Sequence, residues 1–232
     1  MNAPASPQPP RAPPLAAWYR KLGPDSRVIE VMAFPTLPAA PAAALKLRDR
    51  SWRRRFGCKG PAAETWLSGL GLSVPRGANS ARIDAAGVLV ARLATSEFLV
   101  EAIGGGATAI VAARAALAAP ERPAGVYPVV RQDLVVELSG PATRPLLRQI
   151  CSVDFEPLLK AATGPEMPVV LTSMVGVGVV AWPGSGPAGP CVTLWSDPSF
   201  ADYFWSTLLE VGAGLDGGVA VQDPGGEAAD RA

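Results

Sequence analysis

The chain has 232 residues, of which 49% are apolar and 18% are charged, and its formal net charge is +1. This composition indicates a globular protein that is long enough to bury a core, and the low charge is expected of a chain that also buries surface against partners. The sequence contains no histidine and only three widely spaced cysteines, so a Ser-His-Asp triad, a Cys-His dyad and nearly all zinc sites are excluded.

The first segment of the chain, residues 1–24, is rich in proline and has too little apolar material to fold alone. It also lacks the apolar run of a secretory signal peptide. We therefore expect an arm that is extended or disordered when it is free. The run RVIEVMAF, which begins at Arg27, predicts a strand, and a connector rich in proline and alanine follows it.

Basic residues are concentrated near the N-terminal end. Residues 1–60 carry 11 Lys and Arg against 3 Asp and Glu, whereas the rest of the chain carries 10 against 17. Such an asymmetry indicates an electrostatic contact, either within the chain or with an acidic partner. Because arginine and aromatic residues are common binding anchors, we predict a partner interface here. Its predicted residues are Trp18, Tyr19, Trp52, Arg53, Arg54, Arg55 and Phe56. A solvated loop is an alternative, and a nucleic-acid site is disfavoured because the remaining body is acidic.

The central part of the chain contains two similar segments. FGCKGPAAETWLSGLGL begins at Phe56 and VELSGPATRPLLRQICSV begins at Val136. Each places a Gly-Pro pair between a predicted strand and a predicted helix, where proline is tolerated in the first helical turn. Alignment of Gly60 with Gly140 superposes the apolar positions of both helices at the spacing i, i+3, i+4, i+7.

The similarity continues through a β-hairpin and a second helix in each segment. GVLVARL and EFLVEAI align with GVGVVAW and CVTLWSD, and these pairs predict two hairpins. The helices that follow are predicted over Ala107–Ala118 and Pro198–Val211. Phe200, Phe204 and Leu208 share one face of the last helix, which predicts that all three are buried.

The predicted fold class is α+β, with two tandem copies of a strand-helix-hairpin-helix unit (a split β-α-β unit) packed together. One copy alone would leave its sheet half covered. The first helix of the second copy is expected to begin near Thr143, because Pro145 is tolerated only in an initial turn. The predicted organisation is a proline-rich arm over residues 1–24, a first α+β repeat with N-terminal strand and connector over 25–124, a second α+β repeat over 125–211 and a flexible tail over 212–232.

Two features invite a chemical interpretation, and each has a simpler one. Gly104–Gly106 lies between a strand and a helix, where backbone amides could hold phosphate. It lacks the spacing of a dinucleotide motif and the lysine of a P-loop, so a flexible connection is preferred. Cys58 precedes a lysine, which favours a thiolate, but no histidine base exists. A small buried apolar residue is the preferred interpretation of Cys58.

The most apolar stretch of the chain is Met167–Trp182. It is interrupted by polar residues and glycines and is too short to span a bilayer, so paired strands explain it better. The odd number of scattered cysteines favours a reducing compartment. We therefore expect a cytoplasmic protein that does not interact with membranes.

The string RRRFGCKGPAAETWLSGLGLSVPRGANS, followed by GVLVARLATSEFLVE, resembles the gamma subunit of heterotetrameric sarcosine oxidase. VYPVVRQDLVVELSGPATRPLLRQICSVDF and VTLWSDPSFADYFWSTLL extend the resemblance from about Phe56 to Val211. The motifs that carry it are the paired Gly-Pro helix starts, the R-L-x-x-[ST]-E-F segment at Arg92–Phe98 and the S-[FY]-A-x-Y-x-W helix. That family is similar in fold to the folate-binding aminomethyltransferase domain of the glycine cleavage system.

The resemblance implies a non-catalytic, gamma-type subunit of a multisubunit amine oxidase or N-demethylase. Its partners would be larger amine oxidase subunits in a hetero-oligomer, with no nucleic acid. FAD, FMN, NAD and tetrahydrofolate are expected in those subunits, which would oxidise an N-methyl amine and pass the one-carbon unit to tetrahydrofolate. The chain itself is expected to bind no cofactor or metal and to supply no catalytic residue.

The alternative is a stand-alone tetrahydrofolate-binding protein of the aminomethyltransferase type. In that case Asp84, Glu97 and Glu101 could supply a folate-site carboxylate, by analogy of fold alone. Glu97 and Glu101 share one face of a strand, which fits a solvated face equally well. A self-contained enzyme of another kind is disfavoured, because histidine and cofactor motifs are missing.

Overall fold

The computed structural model describes residues 11–22, 26–29, 32–35, 37, 42–186 and 189–225. Within these residues the chain forms six α-helices and fourteen β-strands, which confirms the α+β class. In chain order they are α1 (Ala16–Tyr19), β1 (Ser26–Ile29), β2 (Met32–Pro35), β3 (Leu45–Asp49), β4 (Arg55–Lys59), α2 (Ala63–Gly69), β5 (Ser80–Ile83), β6 (Val88–Ala94), β7 (Glu97–Ala102), α3 (Ala107–Ala118), β8 (Tyr127–Val129), β9 (Leu134–Ser139), α4 (Thr143–Ile150), α5 (Glu156–Ala161), β10 (Met167–Pro168), β11 (Val170–Met174), β12 (Val177–Gly186), β13 (Gly189–Ser196), α6 (Ala201–Ala213) and β14 (Val219–Gln222).

Two six-stranded sheets form the body of the described chain. The first sheet has the order β10-β5-β6-β7-β4-β8, and the second has the order β11-β12-β13-β9-β3-β14. Neighbouring strands are antiparallel throughout, except that β14 runs parallel to β3. The remaining strands, β1 and β2, pair with each other, and Met32 of β2 also forms an isolated parallel bridge with Arg11.

Two of the points at which the chain crosses between the sheets are equivalent; the others lead into and out of the short strand β10. β3 lies in the second sheet beside β9, whereas β4, the next strand in the chain, lies in the first sheet. β8 lies in the first sheet beside β4, whereas the next strand, β9, lies in the second sheet. Each sheet therefore contains strands from both predicted repeats, 25–124 and 125–211, and a boundary at residue 125 does not separate the sheets.

The two sheets pack face to face, and helices cover their outer faces. Leu99, Val135 and Trp195 belong to a core between the sheets. Phe98, the residue before Leu99, faces the opposite way and packs with α2 and α3, while Val136 packs with α4 and α6 on the other side. Because both faces of these strands are buried, their sequences are almost continuously apolar. The result is a helix–sheet–sheet–helix arrangement.

Part of the predicted arm is folded onto this body. Leu15 and Tyr19 are buried together with Phe34 of β2. The ring of Trp18 lies edge-on to that of Trp205 in α6, with 5.4 Å between the ring centroids. The expectation of an extended arm is therefore wrong for residues 11–22, since one leucine and two aromatic side chains provide enough apolar surface to dock. The strand predicted from Arg27 is a short hairpin, and residues 1–10 and 23–25 lie outside the described ranges.

Part of the predicted flexible tail is also structured. β14 pairs with β3 at the edge of the second sheet, and Ala220 is buried there. Backbone hydrogen bonds join Ala44 and Leu45 to the carbonyls of Gly217 and Gly218. The expectation of a flexible tail is therefore wrong for residues 212–225, because the run Val-Ala-Val covers an otherwise open sheet edge. Residues 226–232 lie outside the described ranges.

Three predictions about local structure are confirmed. α3 has the predicted bounds, and α4 begins at Thr143. The apolar stretch Met167–Trp182 forms β10, β11 and part of β12. In the part of the chain that the structure describes, no helix is both long enough and apolar enough to cross a membrane.

The last helix follows its prediction in part. It starts with a 3-10 turn over Pro198–Phe200, where the Asp197 carboxylate accepts a hydrogen bond from a backbone N–H, and it continues as α6. Phe204 and Leu208 are fully buried, but Phe200 is 48% exposed. The prediction is wrong for Phe200, because a 3-10 turn rotates its residues relative to the α-helical face that follows.

Candidate functional site

The crossing segment between β3 and β4 carries polar side chains into the interior. Its backbone is attached to the second sheet: the Arg50 N–H donates to the Val135 carbonyl (2.8 Å), and the Val135 N–H donates to the Ser51 hydroxyl (3.0 Å). Because buried charges require partners, the segment depends on acidic residues from elsewhere in the fold. Five of its polar side chains are buried: Asp49, Arg50, Ser51, Arg53 and Arg55.

Glu101 on β7, like Asp49, is a fully buried acid of this network. Its carboxylate accepts hydrogen bonds from Arg55 Nε (2.8 Å) and Trp195 Nε1 (2.7 Å), and Arg53 Nη1 lies 3.6 Å from its other oxygen. Arg55 donates further hydrogen bonds to the backbone carbonyls of Arg50, Ser51 and Asp133. These bonds connect the first sheet, the crossing segment and the second sheet.

Glu137 on β9 is a further acid of the network. Arg50 donates to both of its oxygens, at 3.2 Å and 3.0 Å, and Arg53 Nη2 lies 3.3 Å away. Burial of the Glu137 carboxyl opposes its ionisation, but the charges of Arg50 and Arg53 outweigh burial and hold its pKa below the usual value. Glu137 is therefore a carboxylate throughout the neutral range.

Tyr19 connects the N-terminal helix to the same segment. Its hydroxyl donates to Asp49 Oδ2 (2.9 Å), and the Ser51 N–H donates to Asp49 Oδ1 (2.7 Å). Burial raises the pKa of the Asp49 carboxyl. Burial, reinforced by the charge of Asp49, also raises the pKa of the Tyr19 hydroxyl, which keeps its proton for this hydrogen bond.

The second crossing segment, between β8 and β9, has its own ion pairs. Arg131 lies 3.1 Å from Glu97 and 3.7 Å from Asp133. Burial raises the pKa of the Asp133 carboxyl, although the charges of Arg131 and Arg55 act in the opposite direction. Asp133 Oδ2 has no hydrogen-bond partner among the described residues.

Two clefts share residues 130–132 of this segment as part of their lining. The larger, of about 910 Å³, is also lined by residues of the first crossing, α3, β1 and β2, and we call it the basic groove. Among the described residues that line it, none is Asp or Glu, and six are arginines: Arg11, Arg53, Arg54, Arg55, Arg114 and Arg131. The smaller cleft, of about 720 Å³, reaches Asp133, Trp195 and Ser196. The basic groove is the strongest candidate for a functional site.

The structure divides the predicted partner interface into two sets. Four of its residues are buried within the chain: Tyr19, Arg53, Arg55 and Phe56. The other three are partly exposed: Trp18, Trp52 and Arg54. A side chain that is buried in its own chain offers little surface to a partner, so the first set serves the interior.

The surroundings of Cys58 and Gly104–Gly106 fit a structural role and not a chemical one. Burial raises the pKa of the Cys58 thiol to about 12, as expected of a small buried residue that is not nucleophilic. The N–H groups of Ile103 and Gly104 donate to the Gly87 carbonyl. The glycine run therefore connects β7 to α3 across the end of the preceding hairpin strand.

The three predicted folate-site acids have separate roles. Asp84 accepts hydrogen bonds from the backbone N–H groups of Ala86 and Val88 and thereby closes its own turn. Glu97 pairs with Arg131, and Glu101 belongs to the buried network. Within the described ranges, no group of three or more Cys, Asp or Glu side chains is placed to hold a metal ion.

Four residues of the network and the groove were not predicted from the sequence: Glu137, Trp195, Arg114 and Arg131. A signal existed for Glu137, which interrupts the apolar run LVVELS of a strand that is buried on both faces, where a charge must be paired. No local signal marks Arg114, because its position in the groove depends on how α3 packs against β4.

The described fold is shared with proteins of known structure. No protein-family model matches the chain, and no curated protein matches its sequence. A chain of heterotetrameric sarcosine oxidase from Corynebacterium sp. U-96, in complex with pyrrole 2-carboxylate, is 21% identical, with a TM-score of 0.59 over 87% of this chain and 94% of that chain. Glycine cleavage system aminomethyltransferase T from Bartonella henselae is 17% identical, with a TM-score of 0.62 over 91% of this chain and 59% of that chain. The predicted aminomethyltransferase-like fold is confirmed.

Proposed function

We propose that this chain is a non-catalytic, gamma-type subunit of a multisubunit amine oxidase or N-demethylase similar to heterotetrameric sarcosine oxidase. The observation that carries the proposal is the extent of the two structural matches. The chain matches 94% of a chain of that oxidase but only 59% of the aminomethyltransferase. A chain of similar length and fold can occupy the same place in an assembly, whereas the aminomethyltransferase has a large part with no counterpart here.

The buried network supports a structural role for the interior. Arginines hold Glu101 and Glu137, and the indole of Trp195 also holds Glu101. A general base must be within hydrogen-bond reach of a substrate proton. These carboxylates are instead bonded to groups of both sheets, so their charges position the crossing segment.

In the proposed complex, FAD, FMN, NAD and tetrahydrofolate belong to the larger subunits. Those subunits oxidise an N-methyl amine and transfer the one-carbon unit to tetrahydrofolate, and this chain binds to them in the cytoplasm. Of the predicted interface residues, Trp18, Trp52 and Arg54 are the ones with side-chain surface to offer.

The proposal includes a duplication of one strand-helix-hairpin-helix unit. Four strands occur in the same order in each sheet: β5-β6-β7-β4 in the first and β11-β12-β13-β9 in the second. Cys58 pairs with Phe98 in one sheet and Leu138 with Val192 in the other, as the alignment of the two segments requires. The four-strand order and this register are what support two copies of one ancestral unit.

The second candidate is a stand-alone tetrahydrofolate-binding protein of the aminomethyltransferase type. The TM-score of 0.62 over 91% of the chain favours it. In this case the chain alone would bind tetrahydrofolate, which the subunit proposal does not require.

Affinity purification of the tagged full chain from its own cells tests the proposal. We expect larger subunits to co-purify, with a flavin absorption spectrum and sarcosine-dependent or dimethylglycine-dependent oxygen consumption. The chain purified alone should be colourless, inactive towards both amines and silent in calorimetric titration with tetrahydrofolate. A chain that purifies without partners, or that binds stoichiometric flavin by itself, would contradict the proposal. Saturable binding of tetrahydrofolate by the isolated chain would favour the second candidate.

A further inference from the structure

The arginines of the basic groove differ in how they are paired. Arg53 and Arg55 are bonded to the buried Glu101 and Glu137, and Arg131 is paired with Glu97. Arg11 and Arg114 are exposed, and neither has an ion-pair partner among the described residues. Because the compensating acids do not line the groove, its solvent-facing side is positive.

The groove also exposes aliphatic side chains to solvent. Val130 is 80% exposed and Val28 is 60% exposed, although both line the groove. Met32 and Val129, which are partly exposed, add apolar surface. Exposed aliphatic residues flanked by arginines are typical of a surface that a partner covers.

We propose that the basic groove binds an acidic segment of a partner subunit, with Arg11 and Arg114 pairing with its Asp or Glu side chains and an apolar side chain of that segment packing between Val28 and Val130. The inference rests on the proposed function and identifies the chemistry of the contact. Charge complementarity favours an acidic partner, since Arg11 and Arg114 are exposed without ion-pair partners among the described residues and no Asp or Glu lines the groove. The exposed valines select a polypeptide, because it offers apolar and acidic side chains together.

Other anionic occupants fit the groove less well. Single-stranded nucleic acid binds through several aromatic faces on which successive bases stack. Of the two aromatic residues that line the groove, Phe56 is buried and packs edge-on against Trp66, which leaves Trp52 with ring surface for at most one base. A small anion would pair with the arginines and leave the exposed valines uncovered.

Association kinetics with the co-purified large subunit test the inference. Arg114→Glu and Arg11→Glu should each lower the association rate constant roughly fivefold to tenfold at low salt, and this difference should shrink as ionic strength rises. Arg148→Glu is the matched control, because Arg148 is exposed on α4, does not line the groove and changes the net charge equally. Circular dichroism melting should show that all three variants remain folded.

A photo-crosslinking residue at position 130 identifies the occupant directly. We expect crosslinks to a peptide of the large subunit that is rich in Asp and Glu, and crosslinks to a neutral or basic peptide would overturn the inference. Association by Arg114→Glu as fast as by Arg148→Glu would also overturn it. An oligonucleotide that binds the isolated chain in an Arg114-dependent manner would assign the groove to nucleic acid instead. If the wild-type chain binds no large subunit, the proposed function fails; if it binds and the groove variants are normal, only this inference fails.

Discussion

Glu97 and Glu101 lie on the same face of β7 but in different electrostatic environments. Glu97 is at the strand end with its side chain 36% exposed, and it forms one ion pair with Arg131. Glu101 is fully buried and accepts hydrogen bonds from Arg55 and Trp195. An ion pair in water contributes little to stability, whereas removal of one partner from a buried pair leaves a charge uncompensated.

Glu101→Gln should therefore lower the free energy of unfolding by about 3–5 kcal/mol, because Arg55 loses its buried counter-charge. Glu97→Gln, four residues earlier on the same face of β7, should change it by less than about 1 kcal/mol. Urea denaturation of both variants measures the difference. Equal effects would show that the Glu101 network does not stabilise the fold.

Glu137 provides a pH-dependent test of the same network. The charges of Arg50 and Arg53 lower the pKa of this carboxyl from its usual 4.5, so its contribution is fully present above about pH 4.5 and is lost as pH falls through the lowered folded-state pKa. Glu137→Gln should cost about 3–5 kcal/mol near neutral pH, and the difference from the wild type should shrink in acid.

Unfolding free energies from about pH 7 to about pH 3 measure this difference. The raised pKa values of Asp49 and Asp133 act in the opposite direction, but both acids are present in wild type and variant, so their contributions cancel. Glu121→Gln, at an exposed position, is the control. A difference that stays constant down to the lowest pH would mean that Glu137 is not paired as described.

At the scale of elements, the 3-10 turn at the start of the last helix determines which of its phenylalanines face the core. Pro198–Phe200 forms a 3-10 turn and α6 continues from it, so Phe200 and Phe204 face different environments. Phe204 contacts the core of the second sheet, whereas Phe200 is largely exposed.

Phe204→Ala should lower the free energy of unfolding by about 3–5 kcal/mol, from lost apolar burial and the cavity it leaves. Phe200→Ala, the same substitution one turn earlier, should stay within about 0.5 kcal/mol. Thermal or urea denaturation measures both. A large effect of Phe200→Ala on the isolated chain would contradict the described orientation of the turn.

At the scale of the whole molecule, Gly60 and Gly140 occupy corresponding positions in the two units. Each lies against a backbone carbonyl oxygen of the segment that precedes a crossing strand. Gly60 directly follows β4 with φ of +127°, and a Cβ there would collide with the Gly125 carbonyl oxygen. Gly140 directly follows β9 with φ of +98°, and a Cβ there would collide with the Ala44 carbonyl oxygen. Gly60 therefore packs against the chain just before β8, and Gly140 packs against the chain just before β3. β8 and β3 are the strands from which the chain crosses to the other sheet.

Gly60→Ala and Gly140→Ala should each cost about 2–5 kcal/mol, because the added methyl group meets a backbone oxygen and φ is unfavourable for alanine. Gly69→Ala is the control, since nothing lies within 4 Å of its Cβ position at the end of α2, and it should be neutral or stabilising by up to about 1 kcal/mol. Melting temperatures of the three variants provide the measurement. A clear effect at one glycine only would contradict the equivalence of the two crossings.

The local sequence determined four of the helices, namely α2, α3, α4 and most of α6, together with the hairpins and the Gly-Pro helix starts. The bounds of α3 and the start of α4 at Thr143 follow from apolar periodicity and from the tolerance of proline in a first turn, which depend on residues close in the chain. The α+β class follows from the same information.

Only the tertiary structure decided whether the N-terminal arginines face the interior or the solvent, and whether the segments near the two chain ends are ordered. Arg50 and Arg53 turn inward because Glu137, more than 80 positions along the chain, lies opposite them, and a count of charges contains no such direction. β14 is ordered because β3 offers it an open edge, and α1 is ordered because Trp205 and Phe34 form a surface for it. In each case the contact joins separate elements of the chain, so it exists only once the second sheet and the elements packed on it have assembled.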